Sequence, residues 1–189
     1  MVVLGCLSLS ASIPRGWYLA GTKPGDYEVA VDNEAEYSHY ASVVLRARKP
    51  AVDGFGTLMQ QFRADDYRGK HVRLSGSLKA EGVQDWAGLW MRVNKDKLVI
   101  AFDNMQYRAV TGTRGWRDYE IVLEIAPEAT DISFGVLLSG SGAVWLSHPR
   151  FETVPSHVPT TGHAMKPIEM EQVSKAEFPP GPTNLDFEN

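Results

Sequence analysis

Two stretches in the middle of the chain decide the fold, VRLSGSLK at 72–79 and WAGLWMRV at 86–93. In the first, apolar residues or glycine alternate with polar ones, which is the period-two pattern of a strand with one face on a core. In the second, one face is smooth and aliphatic. The opposite face of that strand carries a set that is unusual for a solvent-facing surface: Trp86, Gly88, Trp90 and Arg92.

Similar short segments follow one another on both sides of these two stretches. Alternating or apolar runs occupy residues 27–31, 41–48, 55–62, 98–102, 119–125, 132–138 and 143–154. Glycine-containing turns separate several of them, for example at 68–70, 113–115 and 139–142. Many short strands joined by such turns, without a helical period, predict an all-β fold, an antiparallel β-sandwich or barrel.

Composition narrows the class of protein. The chain has 189 residues, of which 43% are hydrophobic and 22% charged, as expected for one globular domain. A net charge of −4 offers no basic surface for nucleic acid, so we expect no nucleic-acid partner. The single cysteine excludes an internal disulfide framework and a cysteine-rich zinc module.

The two ends of the chain differ from its centre. Residues 155–189 hold six of the 11 prolines and are acidic, which predicts an extended arm after a folded body at 1–154. A short apolar segment at 184–188 is predicted to be a terminal strand. At the other end, Val2 to Ser10 is predicted to be an edge strand. The apolar stretch from Met1 to Leu9 is too short to cross a bilayer and lacks a basic signal-peptide start, so we expect a cytoplasmic protein without a membrane partner.

Trp86, Trp90 and Arg92 form the candidate ligand-binding surface. Indole rings stack on sugar rings or flat apolar ligands, and an arginine supplies a planar fork of hydrogen-bond donors. The alternative is that the two indoles are covered by a long loop or by the C-terminal arm.

Neighbouring segments offer further candidates for the same surface. On the strand at 55–62, either Gln60 or Gln61 must point away from the core. Asp103 and Asn104 follow an apolar run and stand at a strand end, where Asp103 is the better site residue and Asn104 the better turn former. Three methionines complete the set, although each is common in an ordinary core: Met59, Met91 and Met105.

Motifs of catalytic chemistry give little support for an enzyme. No HxH, HExxH, CxxC, G-x-S-x-G, P-loop or dinucleotide fingerprint occurs, so we expect neither a catalytic metal nor a cofactor. His148 is the one histidine within a strand run near the predicted site. If the protein is an enzyme, Asp103, Arg92 or His148 would polarise a substrate or shuttle a proton.

Several segments together resemble the jelly-roll domains related to carbohydrate-binding modules. They lie at 16–17, 27–32, 55–62, 67–76, 115–125 and 142–152. More closely, the chain is similar to small free-standing bacterial proteins that share GFGTLMQQ, GLWMRV and FDNM, here at 54–61, 88–93 and 102–105. Many of those are labelled transcriptional regulators. The resemblance implies a jelly-roll β-sandwich, whereas it says little about function because jelly rolls host unrelated activities.

Two departures from this family matter. Such domains usually begin with an Asn-x-x-Phe-Glu strand, but here the matching NLDFE lies at 184–188, which suggests docking on the body or on a second subunit of a homodimer. The family also implies a structural calcium ion held by an Asp-Asp pair in the last strand. Trp145-Leu146-Ser147-His148 stands there instead, without either carboxylate.

Three functions remain open from the sequence. The first is a domain that binds a small ligand, a sugar or a flat apolar molecule, in the aromatic pocket. The second is a cofactor-free cyclase or isomerase of natural-product biosynthesis, because some jelly rolls of this kind resemble such enzymes. The third is a regulatory interaction module.

Overall fold

The computed structural model describes residues 12–169 and 177–188. Ten β-strands and two short 3₁₀ helices make up the regular structure of these residues. The strands are β1 (Tyr18–Gly21), β2 (Tyr27–Tyr37), β3 (Tyr40–Ala47), β4 (Phe55–Arg63), β5 (His71–Lys95), β6 (Leu98–Asp103), β7 (Val110–Glu124), β8 (Asp131–Ser139), β9 (Ala143–Val154) and β10 (His163–Glu169). The all-β prediction is confirmed, and nine of the ten predicted strands within these residues are present.

The strands form two layers that share one long element. The N-terminal half of β5, from residue 71 to 81, pairs with β9, whereas its C-terminal half, from 86 to 94, pairs with β8. We call the layer β1-β4-β8-β5-β6-β10 the first sheet and the layer β2-β3-β9-β5-β7 the second sheet. The predicted strands at 72–79 and 86–93 are therefore two halves of one strand, a continuity that their separate alternation did not reveal.

The core lies between the two sheets. The aliphatic face of β5 points into it, and Leu89, Met91 and Val93 are fully buried there. The same cluster contains Leu58 and Phe134 of the first sheet and Leu45 and Leu146 of the second. Two antiparallel layers packed on one apolar core are the β-sandwich that the turn spacing predicts, and its arrangement is a jelly roll.

The C-terminal residues fold back onto the sandwich. Residues 163–169 form β10 and pair with β6, so this part of the predicted arm extends the first sheet. Residues 184–188 form a turn rather than the predicted strand. Phe187 is nevertheless 2% exposed and packs on Trp17, with ring centroids 5.5 Å apart. The predicted edge strand Val2 to Ser10 falls outside the described residues.

Candidate functional site

A pocket of about 370 Å³ opens on the outer face of the first sheet. Its volume lies at the lower end of the range of about 300–1,000 Å³ that is usual for small-molecule sites. Five strands or strand ends contribute to its walls. The lining residues are Ala20, Gly21, Thr22, Phe55, Thr57, Met59, Trp90, Arg92, Phe102 and Leu137.

The register of the sheet brings these side chains together. Trp90 lies opposite Gly135 of β8, which in turn lies opposite Met59 of β4. Arg92 lies between Ser133 and Phe102 in the next row. Because side chains alternate across a sheet, all of these groups share the face that points away from the core.

Trp90 forms the floor of the pocket. It is 6% exposed and packs with Met59 and Leu137 in an apolar cluster separate from the main core. Its indole Nε1–H donates to Thr57 Oγ1 over 2.6 Å, and the Thr57 hydroxyl donates to the Val136 carbonyl over 2.8 Å. The polar edge of the indole is thus satisfied inside the sheet, and this pairing fixes the plane of the ring.

Gly135 makes room for this arrangement. A Cβ at this position would lie 2.9 Å from Met59 Cα and would also collide with the Leu58 carbonyl. Only glycine lets β4 and β8 approach this closely beside Trp90.

Arg92 is the one charged residue among those that line the pocket. Its guanidinium reaches Ser133 Oγ at a long 3.5 Å, and its buried Nε–H meets no acceptor among the described residues. Burial lowers the pKa of Arg92, while Asp131 and Tyr18 nearby raise it. An arginine side chain stays charged at neutral pH under such a shift, so the pocket has a cationic end.

Asp131 lies near Arg92 but is engaged elsewhere. Its carboxylate accepts hydrogen bonds from Gln61, Asn94 and Thr130. The described salt bridges do not include a pair between Arg92 and Asp131. The donors of Arg92 therefore remain largely free to meet a ligand.

Three of the candidates predicted for this surface lie in the pocket itself, namely Met59, Trp90 and Arg92. Trp86 is half-buried beside the pocket and packs against the same apolar cluster, although it does not line the cavity. Gln61 faces the same side as Met59, near the rim, and receives a 3.4 Å hydrogen bond from the Tyr18 hydroxyl.

Gln60 lies on the opposite face of β4, so its assignment to the ligand-binding surface is wrong. It is 2% exposed, and its amide group makes two hydrogen bonds with the backbone of Thr183. It holds the C-terminal segment because it shares the core-facing side of β4 with Leu58 and Phe62.

Asp103 also lies away from the pocket, contrary to the prediction. It pairs with Met91 in the sheet and shares the core-facing side. Its carboxylate binds the Arg108 guanidinium through both oxygens, at 3.2 and 2.7 Å, and accepts the Met105 amide. Burial alone would raise the pKa of Asp103, but the bonds from Arg108, Thr161 and Met105 outweigh it and keep that pKa below its usual range.

The two residues after Asp103 have structural positions. Asn104 Oδ1 accepts the Gln106 amide, which is the turn-forming role that the sequence favours. Met105 is fully buried in the main core, and it fills the space beside Gly88, whose added Cβ would lie 3.1 Å from Met105 Cβ. Neither residue lines the pocket, contrary to the prediction.

His148 belongs to the second sheet and is remote from the pocket, again contrary to the prediction. Its ring stacks on Tyr40 with centroids 3.6 Å apart, and its Nε2 accepts a hydrogen bond from Arg150. Burial and the neighbouring Arg150 lower the pKa of His148, while Asp118 raises it. His148 is not among the residues that line the pocket.

The residues at the expected calcium position do not fit that ion. Ser147 Oγ donates to the backbone carbonyls of Tyr40 and Ala41, and His148 is engaged with Tyr40 and Arg150. The described residues hold no cluster of three or more His, Cys, Asp or Glu side chains that could ligate a metal. Without carboxylates, this donor set lacks the anionic oxygen ligands that calcium sites commonly use.

Two other tryptophans, Trp17 and Trp145, have structural roles. Trp17 is buried in the core and donates to the Asn184 carbonyl over 3.0 Å. Trp145 lies on the outer face of the second sheet, where Asp32 accepts its indole hydrogen at 2.8 Å. The Lys79 ammonium covers that ring at 4.5 Å from its centroid.

Several pocket residues were not predicted from the sequence. Phe55 and Thr57 share the face of Met59 by simple alternation, and this signal could have found them. Phe102 and Leu137 belong to strands whose neighbours are set only by the sheet order. No local pattern marks β1, which supplies Ala20 and Gly21 to the wall, while Thr22 follows directly after it.

Comparison with solved structures places the chain among jelly-roll sandwiches that include carbohydrate-binding modules. The xylan-binding CBM22-1 domain of Paenibacillus barcinonensis Xyn10C superposes with a TM-score of 0.52 at 18% identity, covering 75% of this chain and 87% of that one. The Stig cyclase Fisc from Fischerella sp. TAU superposes with a TM-score of 0.53 at 14% identity, covering 79% of this chain and 90% of that one. At these identities the likeness concerns the fold alone.

A curated relative is more similar in sequence. The chain is 43% identical over 176 residues to the protein of Bacillus subtilis (strain 168) named uncharacterized HTH-type transcriptional regulator YbfP. The match covers 92% of this chain but only 57% of the relative. No family model matches the chain. In residues 12–169 and 177–188, no helix is long and apolar enough to span a membrane.

Proposed function

We propose that this chain is a small-ligand-binding jelly-roll domain and that its site is the Trp90 pocket. The observation that carries the proposal is a mostly apolar pocket with a buried indole floor and one underpartnered arginine at its end. A pocket lined by apolar and aromatic side chains with a few convergent polar groups is the usual form of a small-molecule site.

The pocket favours binding over the cyclase alternative. Two of the three candidate acid or base groups, Asp103 and His148, lie outside it and have structural partners. Arg92 remains, and it suits charge recognition better than proton transfer because its pKa is far above neutrality.

The test is a screen of small molecules by thermal shift and ligand-observed NMR, using the wild-type chain and two variants. Ala20→Phe would fill the pocket from the edge strand β1, and Trp90→Ala would remove its floor. We expect compounds that raise the Tm of the wild type to lose that effect in both variants. Lys79→Ala, on the outer face of the second sheet, is the matched control and should bind as the wild type does. Binding that persists in Ala20→Phe would contradict the proposal.

A regulatory role is the second candidate, and the Bacillus subtilis relative favours it. The described residues contain no α-helix, so the helix–turn–helix in that protein's name has no counterpart in this part of the chain. In this hypothesis, the pocket senses an effector while a separate segment reads DNA. A compound that stabilises this chain should then change transcript levels in B. subtilis only when the relative's gene is intact. Equal changes in cells without the gene would reject the regulatory role.

A further inference from the structure

We infer that the pocket binds a compact carboxylic acid with a flat apolar body, and that Arg92 binds its carboxylate. This inference rests on the proposed function, because it specifies the chemical class of ligand for the same pocket. It is carried by the hydrogen-bonding state of Arg92 and by the small number of other polar side chains in the pocket wall.

The first step concerns the unmet donors of Arg92. A guanidinium has five N–H donors, yet the described contacts of Arg92 amount to one hydrogen bond at 3.5 Å. The Nε–H is buried and meets no acceptor in the part of the chain that the structure describes. Burying a charged donor without a partner is costly, and an anion that reaches it removes that cost through charge-assisted hydrogen bonds.

The second step concerns the other polar groups of the wall. Thr57 Oγ1 accepts from Trp90 and donates to Val136, so its single donor hydrogen is already used. Thr22 Oγ1 accepts the Phe55 amide at 3.0 Å. A sugar, which needs a hydrogen-bond partner for nearly every hydroxyl it buries, finds few free groups here besides Arg92.

The third step concerns the apolar body of the ligand. Trp90, Phe102 and Phe55 surround the cavity from β5, β6 and β4, and Met59 and Leu137 complete its apolar surface. A flat ring can stack or pack edge-on against such a wall while its acid group points towards Arg92. Register places Arg92 beside Phe102, so the anion site and the aromatic wall are adjacent.

The fourth step concerns the charge of the ligand. Arg92 is the sole charged residue among the described residues that line the pocket. One cation matches a carboxylate of charge −1. A phosphate monoester carries a charge of about −1.5 to −2 at pH 7 and would leave negative charge uncompensated in an apolar cavity.

The experiment compares acids with their neutral amides on the wild-type chain. The probes are indole-3-acetate and benzoate against indole-3-acetamide and benzamide, with phenyl phosphate and methyl β-xyloside as further arms. Binding is measured by titration while the Met59 methyl NMR signal reports occupancy of the pocket. We expect at least one acid to bind ten times or more tightly than its amide, and more tightly than the phosphate and the glycoside.

Variants then assign the effect to Arg92. Arg92→Gln should lower the affinity for the acid at least tenfold and leave that for the amide within a factor of about two, and Arg92→Lys should restore only part of the loss. Arg73→Gln, which changes a half-buried arginine of the second sheet, is the matched control. The acid–amide comparison on the wild type stands by itself if an Arg92 variant fails to fold.

The outcomes separate this inference from the proposed function. Equal binding of acid and amide, or tighter binding of phenyl phosphate or the xyloside, would overturn the carboxylate assignment and leave the pocket a ligand site. If only neutral compounds from the screen occupy the pocket, the carboxylate assignment is also overturned, while the pocket remains a ligand site. If no compound perturbs the Met59 signal, both the inference and the proposed function fail.

Discussion

Trp90 is the residue where the fold and the proposed site meet. Its ring packs against Met59 and Leu137 on the outer face of the first sheet, while the next residues of β5 on either side enter the core. An indole in this position is held by packing and by one hydrogen bond to Thr57. It therefore contributes to stability and also provides a rigid floor for a ligand.

A double-mutant cycle tests the Trp90–Thr57 hydrogen bond. Trp90→Phe and Thr57→Val should each lower the free energy of unfolding, and the two should be coupled by about 1 kcal/mol, a typical net value for one hydrogen bond. Urea denaturation of the two single variants and the double variant measures this coupling. Trp86→Phe, on the same face of β5 but half-buried, is the control and should show no coupling to Thr57→Val. Additive losses in the Trp90 cycle would mean that the bond does not form in solution.

Asp103 makes stability depend on pH. Its pKa in the folded protein is lowered, because the bonds from Arg108, Thr161 and the Met105 amide outweigh the effect of burial. Such a carboxylate stabilises the fold above its unfolded pKa of about 3.9, and this contribution is lost as the pH falls below that value towards the folded pKa. The wild type should thus lose stability below about pH 4 more steeply than Asp103→Asn.

Chemical denaturation between pH 7 and pH 2.5 checks this prediction. At pH 7 the Asn variant should be less stable by about 1–3 kcal/mol, the usual cost of losing hydrogen bonds to a charged group. Glu128→Gln, which alters an exposed carboxylate, should follow the wild-type profile. Parallel curves for the wild type and Asp103→Asn would show that Arg108 does not hold this carboxylate in its ionised form.

At the scale of elements, β5 organises the domain. It runs from His71 to Lys95 and exchanges β9 for β8 as its neighbour about midway, between residues 81 and 86. Gly82, with a φ of +60°, lies at this change of partner and permits a backbone conformation that other residues seldom adopt. β5 therefore belongs to both sheets. One of its faces packs in the core between them, and the opposite face of its C-terminal half lines the pocket.

The C-terminal segment is the second element with a defined role. Phe187 enters the core beside Trp17, and Gln60 binds Thr183 through two hydrogen bonds. Phe187→Ala should lower the free energy of unfolding by about 3 kcal/mol, because it removes a buried aromatic ring. Deletion of 178–189 should cause at least as large a loss.

Thermal and urea unfolding measure both changes. The neighbouring Glu188→Ala, which alters an exposed side chain, is the matched control and should stay within about 0.5 kcal/mol of the wild type. An unchanged Tm for Phe187→Ala would mean that the segment is not docked in solution. A dimer that dissociates upon the deletion would instead indicate docking on a second copy of the chain.

At the scale of the whole molecule, the two sheets should unfold together. They share β5 and one continuous core, so that loss of one layer removes the partner strands and the buried surface of the other. Far-UV circular dichroism and tryptophan fluorescence should follow a single, coincident urea transition. Trp90 lies in the first sheet and Trp145 in the second. In variants with either one replaced by Phe, the circular dichroism and fluorescence curves should still coincide. Separate transitions for the two probes would show that the sheets are independent.

The fold class and the strands could be predicted from the sequence because they depend on local patterns. Alternation along a strand is set by backbone geometry, so the aliphatic face of 86–93 and the opposite face with Trp90 and Arg92 follow from order alone. Which strands lie beside each other depends on long-range pairing, so Phe102 and Leu137 could not be assigned to the pocket. For the same reason Asp103 was placed on the wrong face of the sheet. Alternation within β6 does not say which of its residues share a face with those of β5 beside it.

The sequence by itself determined that this protein is an all-β sandwich and that one strand face joins tryptophan to arginine. Only the tertiary structure decided that Thr57 fixes the indole and that His148 belongs to the other sheet. It also decided that, among residues 12–169 and 177–188, Arg92 has few hydrogen-bond partners. The physical reason is that side-chain alternation is encoded within a strand, whereas hydrogen-bond partners and pocket walls come from strands distant in the chain and are determined by their register.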